Sequence, residues 1–288
     1  MESALFVLGI VVTVAFCAGA SRRLGWSPPL ALVLIGIAAS FIPGIPSFEL
    51  DPELVLVGLL PPLLYAAAIR TSLVDFASTK EALMWLSVGF VIVCTLAVGL
   101  VTWLIVPSIS LAAAIALGAV VAPPDAVAAT SVARKVGMPR RIVTILEGES
   151  LVNDATALVA LSAAITAITG SVTVASVGID FLVAAVGGVA IGLVVTWALA
   201  WVRRRIEDPV LDTTLSFTAP FIAFLPAEAI HSSGVLAVVV TGLLLGHKAP
   251  TLQSATSRLA ETTNWATVQF LLENAVFLLI GLQVKGLV

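Results

Sequence analysis

Long apolar runs follow one another along almost the whole chain, and this pattern decides in which solvent the chain folds. Of the 288 residues, 60% are hydrophobic and only 11% are charged, against roughly 25% charged in ordinary soluble domains. A soluble protein of this size needs more charge to cover its surface. The sequence therefore excludes a soluble globule and predicts an integral membrane protein. The net charge of −3 gives no broad basic field, so no nucleic-acid partner is expected.

The length of the runs predicts an all-α membrane protein. A helix needs about 20 mostly apolar residues to cross the hydrocarbon layer, whereas a β-barrel shows alternating strands of about ten residues, and this alternation is absent. Short turns between the runs favour a single membrane domain over residues 1–288. The sequence predicts ten spans: Ser3–Ala20, Pro28–Ile42, Pro52–Ile69, Ala82–Val106, Leu111–Ala133, Ile142–Thr169, Val174–Val202, Leu211–Ala229, Ser232–Gly246 and Thr263–Gln283.

The basic residues lie after alternate spans, where short cytoplasmic loops concentrate Lys and Arg. Only Lys285 of the fourteen lies elsewhere. The N-terminus is therefore predicted outside a multi-pass protein of the cell membrane, and these side chains are interpreted as topology signals and headgroup contacts. They are Arg22, Arg23, Arg70, Lys80, Arg134, Lys135, Arg140, Arg141, Arg203, Arg204, Arg205, Lys248 and Arg258.

Cysteine and histidine give no indication of a metal or redox enzyme. Cys17 and Cys94 lie inside apolar runs, where a small buried side chain is the simpler interpretation. His231 and His247 form no cluster with Cys, Asp or Glu of the kind that binds metals. The sequence also lacks a phosphate-binding Gly-rich loop with its lysine, which disfavours a nucleotide-driven pump. We expect neither an enzyme nor a cofactor.

A carboxylate within span five is the first functional candidate. A charge at the bilayer centre costs about 2.5 to 3.5 kcal/mol, so an ionisable residue there needs a reason. Asp125 directly follows Pro123 and Pro124, which remove two backbone donors and leave upstream carbonyls without partners. Freed carbonyls and a carboxylate together form an ion site in many transporters. The alternative is a proline kink in which Asp125 caps the second half of the helix.

Span six carries the second candidate carboxylate, Asp154. At 100° per residue its polar residues form two stripes. For the acids nearer the start of the span, the alternative is a solvated first-turn carboxylate, and for Asp154 it is a protonated or paired group that serves packing. One stripe contains Glu147, Ser150 and Asp154, and the other contains Glu149, Asn153 and Thr156.

The remaining polar and small residues have simpler explanations. Glu228 and His231 favour an interfacial structural pair over a proton relay, and Glu273 either lines a cavity or makes polar contacts between helices. The possible partners of Glu273 are Asn264 and Gln283, and the residues that predict close helix packing are Gly187, Gly188 and Gly192.

The segment from Gly118 to Val159 contains the runs Pro-Pro-Asp-Ala-Val-Ala and Glu-Gly-Glu-Ser-Leu-Val-Asn-Asp-Ala-Thr-Ala-Leu-Val. Further patches lie at 60–65, 233–240 and 276–282. In these runs the chain resembles the monovalent cation:proton antiporter family, specifically its sodium/proton exchanger branch. The resemblance implies a homodimer with an inverted-repeat fold, in which a helical core containing a proline-broken fifth helix moves against a dimerisation domain.

The resemblance also implies the site residues. It puts the family's Asn-Asp pair on Asn153 and Asp154, its unwound-helix acid on Asp125, its site serine on Ser150 and its supporting glutamate on Glu149. Asp154, Asp125 and Ser150 would then contact the transported sodium ion. Pro123 and Pro124 would be supporting residues, at the point where the helix is interrupted.

The sequence departs from the family pattern in several respects. The family's threonine before the unwound-helix acid is Pro124 here and the proline after it is Ala126, which removes a hydroxyl but leaves the backbone carbonyls. Ala66 replaces a glutamate of some members, so one possible cation ligand is absent. The family usually has more than ten spans, including a second broken helix. We therefore expect either a truncated chain with an incomplete second repeat or an unusual short member.

The expected function is secondary active antiport, in which one monovalent cation, sodium first, is exchanged for one proton without net charge movement. Burial favours the protonated form of a carboxylate and a bound cation favours the ionised form, so the two ions compete for Asp154. The alternatives are an inactive fragment, a passive cation channel on the same helices, and an intramembrane hydrolase with Asp125 and Asp154 as its dyad.

Overall fold

The computed structural model of the chain describes residues 2–25, 27–42, 51–124, 129, 132, 133, 136–169 and 174–287. Within these ranges the chain is built from helices and contains no strand. The helices are α1 (Glu2–Leu24), α2 (Pro28–Ser40), α3 (Leu54–Arg70), α4 (Leu73–Ser78), α5 (Lys80–Ile105), α6 (Leu111–Val121), α7 (Arg140–Thr169), α8 (Val174–Arg203), α9 (Pro209–Ala229), α10 (Gly234–Leu252) and α11 (Ala255–Leu287).

The apolar helices coincide with the predicted spans. Among the described residues six helices, α5 and α7 to α11, are long and apolar enough to cross a membrane. Four shorter apolar helices cover Leu8–Ser21, Pro28–Ser40, Leu54–Arg70 and Leu111–Val121. The all-α membrane class is confirmed, whereas the count of ten spans stays a prediction.

Two ends of the last two predicted spans are wrong by six residues or more. The ninth predicted span stops at Gly246 but α10 continues to Leu252, and the tenth begins at Thr263 but α11 begins at Ala255. Apolarity marks the part of a helix that faces lipid, while the helix itself continues into polar sequence. A local signal for the second error was present, because the Ser254 hydroxyl accepts the Ser257 N–H at 3.1 Å, as an N-cap does.

The helices group into two compact units. The first contains Met1–Ala66 and Glu261–Val288, and the second contains Ala67–Ala260. In the first unit α2 and α11 touch at glycines, since a Cβ on Gly36 would lie 2.5 Å from the Leu278 carbonyl oxygen. The single domain over residues 1–288 stays a prediction.

Glycines also set the contact between α8 and α10 in the second unit. A Cβ on Gly188 would lie 2.5 Å from the Ser233 carbonyl oxygen, and one on Gly192 would lie 2.8 Å from that of Ala237. Helices in lipid gain little from burying apolar surface against each other, so close backbone approach has to supply the packing energy. The predicted packing role of these glycines is confirmed.

A buried ion pair joins the ends of three helices in the second unit. Arg203, the last residue of α8, lies 2.9 Å by its Nε from an Asp212 carboxylate oxygen in the first turn of α9, and both side chains are at most 2% exposed. The other carboxylate oxygen accepts the side-chain amide of Gln253, directly after α10, at 2.6 Å. The interpretation of Arg203 as a headgroup-facing charge is therefore wrong, because a partner for this arginine lies nine residues further along.

We expect Asp212→Ala to lower the free energy of unfolding by about 3 to 5 kcal/mol, because it leaves a buried guanidinium without its counter-charge. The matched control is Asp75→Ala, which removes the carboxylate of the exposed Arg140–Asp75 pair and should cost less than about 1 kcal/mol. Thermal unfolding of both variants in detergent, followed by circular dichroism, measures the difference. Equal losses would contradict a special role for the buried pair.

Candidate functional site

The site begins where α6 stops. The helix ends at Val121, and its last backbone hydrogen bond runs from the Ala122 N–H to the Gly118 carbonyl at 2.9 Å. Pro123 and Pro124 follow in non-helical conformation and have no N–H, so the carbonyls four residues earlier cannot receive the usual helical bond. The predicted proline break thus ends the helix at the expected place.

The chain beyond the break is described only in part. Asp125 lies outside the described residues, so its assignment as an ion ligand stays a prediction. Residues 129, 132 and 133 are helical. The Met138 N–H then donates to the Ala133 carbonyl at 2.9 Å, with Gly137 at φ +71°, which is the Schellman geometry of a helix C-terminus. A helical segment therefore closes shortly before α7 begins.

Asn153, in the middle of α7, connects that helix to the break. Its side chain is 0% exposed, and its Nδ2 donates to the Pro124 carbonyl at 3.1 Å. Its Oδ1 accepts the backbone N–H of Asp154 at 2.7 Å. Both ends of the amide are therefore used, one to hold the interrupted chain of α6 and the other to hold the backbone beside the carboxylate.

The two polar stripes of α7 differ in burial. Glu149, Asn153 and Thr156 are 7%, 0% and 4% exposed, so their face is turned into the protein. Ser150 and Asp154, one turn apart on the other stripe, are both partly exposed. The side chain of Glu147 lies outside the description. The helix therefore presents Ser150 and Asp154 together on a partly exposed face, while their roles as ligands stay predictions.

A serine of α5 that the sequence analysis missed contacts the same region. Ser87 is fully buried, and its hydroxyl donates to the backbone carbonyl of Glu149 at 3.4 Å. Ser87 lies in a wide, π-helical turn of α5 over Trp85–Phe90, a distortion frequent at functional sites. A lone serine within an apolar run is a weak signal, so the sequence alone could not have assigned this contact.

Apolar side chains close one side of the break. Val91 of α5, Ala122 after α6 and Ala157 of α7 form a buried cluster, with Cys94 packed against it. Ala157 lies one turn beyond Asn153, so the polar contact and the apolar cluster are neighbours along α7. Such a cluster keeps water away from one side of the Asn153 contact.

Most of the weaker candidates show structural contacts. The Glu228 carboxylate accepts the N–H of Gly234, the first residue of α10, at 3.0 Å, which is a capping contact. Glu273 accepts the side-chain amide of Gln269 on its own helix at 2.7 Å. In the part of the chain that the structure describes, no three His, Cys, Asp or Glu residues come together as a metal site.

Comparison with known proteins assigns the family. A family model described as the transmembrane part of sodium/hydrogen exchangers matches residues 10–287. The chain belongs to the sodium/hydrogen exchanger family. The resemblance seen in the Gly118–Val159 motifs is thereby confirmed, and the family is one of transporters rather than of enzymes.

Two relatives and one solved structure show the extent of the match. An uncharacterised Na+/H+ exchanger of Mycobacterium tuberculosis is 34% identical, over 97% of this chain and 52% of the relative. A sodium, potassium, lithium and rubidium/H+ antiporter of Bacillus subtilis is 32% identical, over 100% of this chain and 44% of the relative. The sodium proton antiporter MjNhaP1 of Methanocaldococcus jannaschii has the same fold, with a TM-score of 0.80 at 19% identity over 98% of this chain and 71% of that one. This exchanger-family chain thus spans about half the length of the curated relatives it matches.

We expect Asn153→Ala to lower the free energy of unfolding by about 0.5 to 1.5 kcal/mol, because it removes the hydrogen bond between the buried Asn153 amide and the Pro124 carbonyl. The control is Thr156→Val on the same buried face, since the Thr156 hydroxyl only returns to the Val152 carbonyl of its own helix at 3.1 Å. Thermal unfolding in detergent compares the two. If Thr156→Val lowered the free energy of unfolding as much as Asn153→Ala, the Asn153 hydrogen bond would have no special effect on stability.

Proposed function

We propose that this chain belongs to an antiporter that exchanges a monovalent cation, sodium first, for a proton, and that Asp154 is the carboxylate that carries both. The observation that supports the proposal most directly is the 3.1 Å hydrogen bond from Asn153 to the Pro124 carbonyl. It brings the helix that bears Asp154 against a proline break whose carbonyls lack helical partners, a combination typical of ion sites in transporters.

Competition at one carboxylate couples the two ions. A carboxylate within a membrane helix is costly to keep charged unless a cation neutralises it. The site therefore switches between the two sides of the membrane with Asp154 either protonated or bound to a cation. Switching with an empty, charged Asp154 is disfavoured. Exchange follows because release of one ion on either side leaves the site ready for the other.

Oxygen ligands from three places complete the proposed site. The first proposed ligand is Asp125, which directly follows in the sequence the proline whose carbonyl Asn153 holds. Ser150 lies one turn before Asp154 on the same face of α7 and contributes a neutral hydroxyl. Carboxylate, hydroxyl and carbonyl oxygens are the ligands that hard cations prefer.

Assembly and location follow from the family by analogy. We propose a homodimer in the cell membrane with the N-terminus outside. The support for the orientation is the placement of thirteen of the fourteen basic residues after alternate predicted spans. The support for dimerisation is the family resemblance alone.

We expect Asp154→Asn to abolish cation-dependent proton flux, because an amide cannot take up and release the proton that couples exchange. The measurement is fluorescence dequenching of a pH dye in proteoliposomes of the full-length protein after a sodium pulse. Asp51→Asn is the control, since Asp51 is exposed and an amide oxygen can still accept the Glu53 N–H that its carboxylate accepts now. Near-normal exchange by Asp154→Asn would overturn the assignment, and cation flux without counter-transport in the unmutated protein would indicate a channel.

Exchange should be electroneutral, because the pair at the centre of α7 is Asn153 and Asp154 rather than two carboxylates. If Asp154 alone titrates during the cycle, the carrier returns with either one proton or one monovalent cation and the same charge crosses in both directions, whereas titration of Asp125 as well would add a proton. One extra charge per cycle would bias transport by about 2.3 kcal/mol at 100 mV. Clamping the potential with potassium and valinomycin at zero and about 100 mV tests this, and a voltage-dependent reversal point would contradict one-for-one exchange.

A further inference from the structure

A polar pocket lies at the start of α7, away from the break. It has a volume of about 300 Å³ and lies between the end of α3, the short helix α4 and the first turns of α7. Its charged lining residues are Arg70, Asp75 and Arg140, and α7 also contributes Val143 and Thr144. The pocket is at the end of α7 that carries the basic residues, which the charge pattern predicts to face the cytoplasm.

The stripe that bears Asp154 starts from the pocket end of α7. Arg140 and Val143 share one face of α7 with Ser150 and Asp154, because steps of seven, eleven and fourteen residues return to nearly the same side of a helix, and Thr144 lies at the edge of that face. Thr144 and Asp154 are ten residues apart, or about 15 Å along the axis. Val143, Thr144, Ser150 and Asp154 are all partly exposed, unlike the buried face opposite them.

An ion pair lies across the pocket. Arg140 Nη2 lies 2.7 Å from an Asp75 carboxylate oxygen, and the two side chains are 83% and 34% exposed. Exposed pairs contribute little to stability because water and salt compete for both partners. The pair therefore contributes little to the stability of the fold. A mobile cation can replace Arg140 at Asp75 at little cost in free energy.

On the basis of the function proposed above, we propose that this pocket is the mouth through which the exchanged cation reaches Asp154, and that Asp75 and Arg140 set its cation affinity. Asp75 attracts a cation to the mouth. Arg140 is a tethered competitor that occupies Asp75 when no cation is there. Arg70 adds a second positive charge to the lining, so Asp75 is the one acidic group among the charged lining residues described.

Opposite shifts in cation affinity follow. Arg140→Gln removes the competitor and should lower the apparent KM for sodium, whereas Asp75→Asn removes the attracting charge and should raise it. A unit charge about 6 Å from an ion in water changes its local concentration by about threefold, so we expect shifts of this size. The maximal rate should stay unchanged, because Arg140, which pairs with Asp75, lies fourteen residues, or about 21 Å along α7, from Asp154. The double variant should return the KM towards that of the unmutated protein.

Two control variants separate the pocket from the general surface charge. Arg204→Gln and Glu207→Gln remove the same charges from exposed positions after α8, outside the pocket. They should leave the KM within experimental error. The shifts at the pocket should shrink in high concentrations of an inert salt, because screening shortens the range of the field to a few ångströms. Equal shifts for the control variants, or shifts of one sign for both pocket variants, would overturn the proposal.

A labelling experiment tests the mouth without relying on transport. Thr144→Cys, in a background with Cys17 and Cys94 replaced by alanine, is treated with a cationic and an anionic methanethiosulfonate reagent of similar size. The ratio of cationic to anionic labelling rates should fall with Asp75→Asn and rise with Arg140→Gln. Sodium should slow the labelling when Asp75 is present and not when it is replaced.

The outcomes distinguish the two proposals. If exchange is absent from every variant but the labelling ratio and sodium protection behave as described, the antiport function fails and the cation-attracting pocket stands. If exchange is present but Asp75→Asn and Arg140→Gln do not change the KM and the labelling ratio in opposite directions, the antiport function stands and the proposed role of the pocket is wrong. Unreactive Thr144→Cys in an otherwise active protein would likewise overturn the pocket as a mouth.

Discussion

The hydrogen bond from the Asn153 amide to the Pro124 carbonyl joins the centre of α7 to the interruption of α6, two helices of the second unit. Lipid offers no hydrogen bonds, so an interrupted helix is stable at membrane depth only where protein groups or a water-lined cavity meet its backbone. A neutral amide supplies a donor without adding a charge. Asp154, the residue that follows this amide, is the carboxylate proposed above as the ion carrier.

The fold class could be predicted from the sequence because the solvent leaves few alternatives. Once apolar runs indicate lipid, helices of about 20 residues and closed barrels are the only choices, and the runs lack strand alternation. The helix ends were less accurate. Helix α11 begins at Ala255, eight residues before the predicted start of the tenth span. The sequence there is polar, so hydropathy does not indicate a helix start, whereas the N-cap serine Ser254 does.

The candidate site was predictable along the helix but not across helices. The stripe assignment for Ser150 and Asp154 needs only the helical repeat, and the break at Pro123 needs only the missing N–H. Contacts between distant segments have no such rule. Ser87 reaches Glu149 from 62 residues away, and Asp75 reaches Arg140 from 65, so both required the tertiary structure.

The buried pair of Arg203 and Asp212 has a consequence for how the chain is made. A basic residue at a helix end helps to orient that helix during membrane insertion, and Arg203 is synthesised before the aspartate that later neutralises it. Once α9 has followed, the same charge is withdrawn from water into a 2.9 Å contact. A basic residue counted among the topology signals of the sequence can therefore end as half of a buried ion pair in the folded chain.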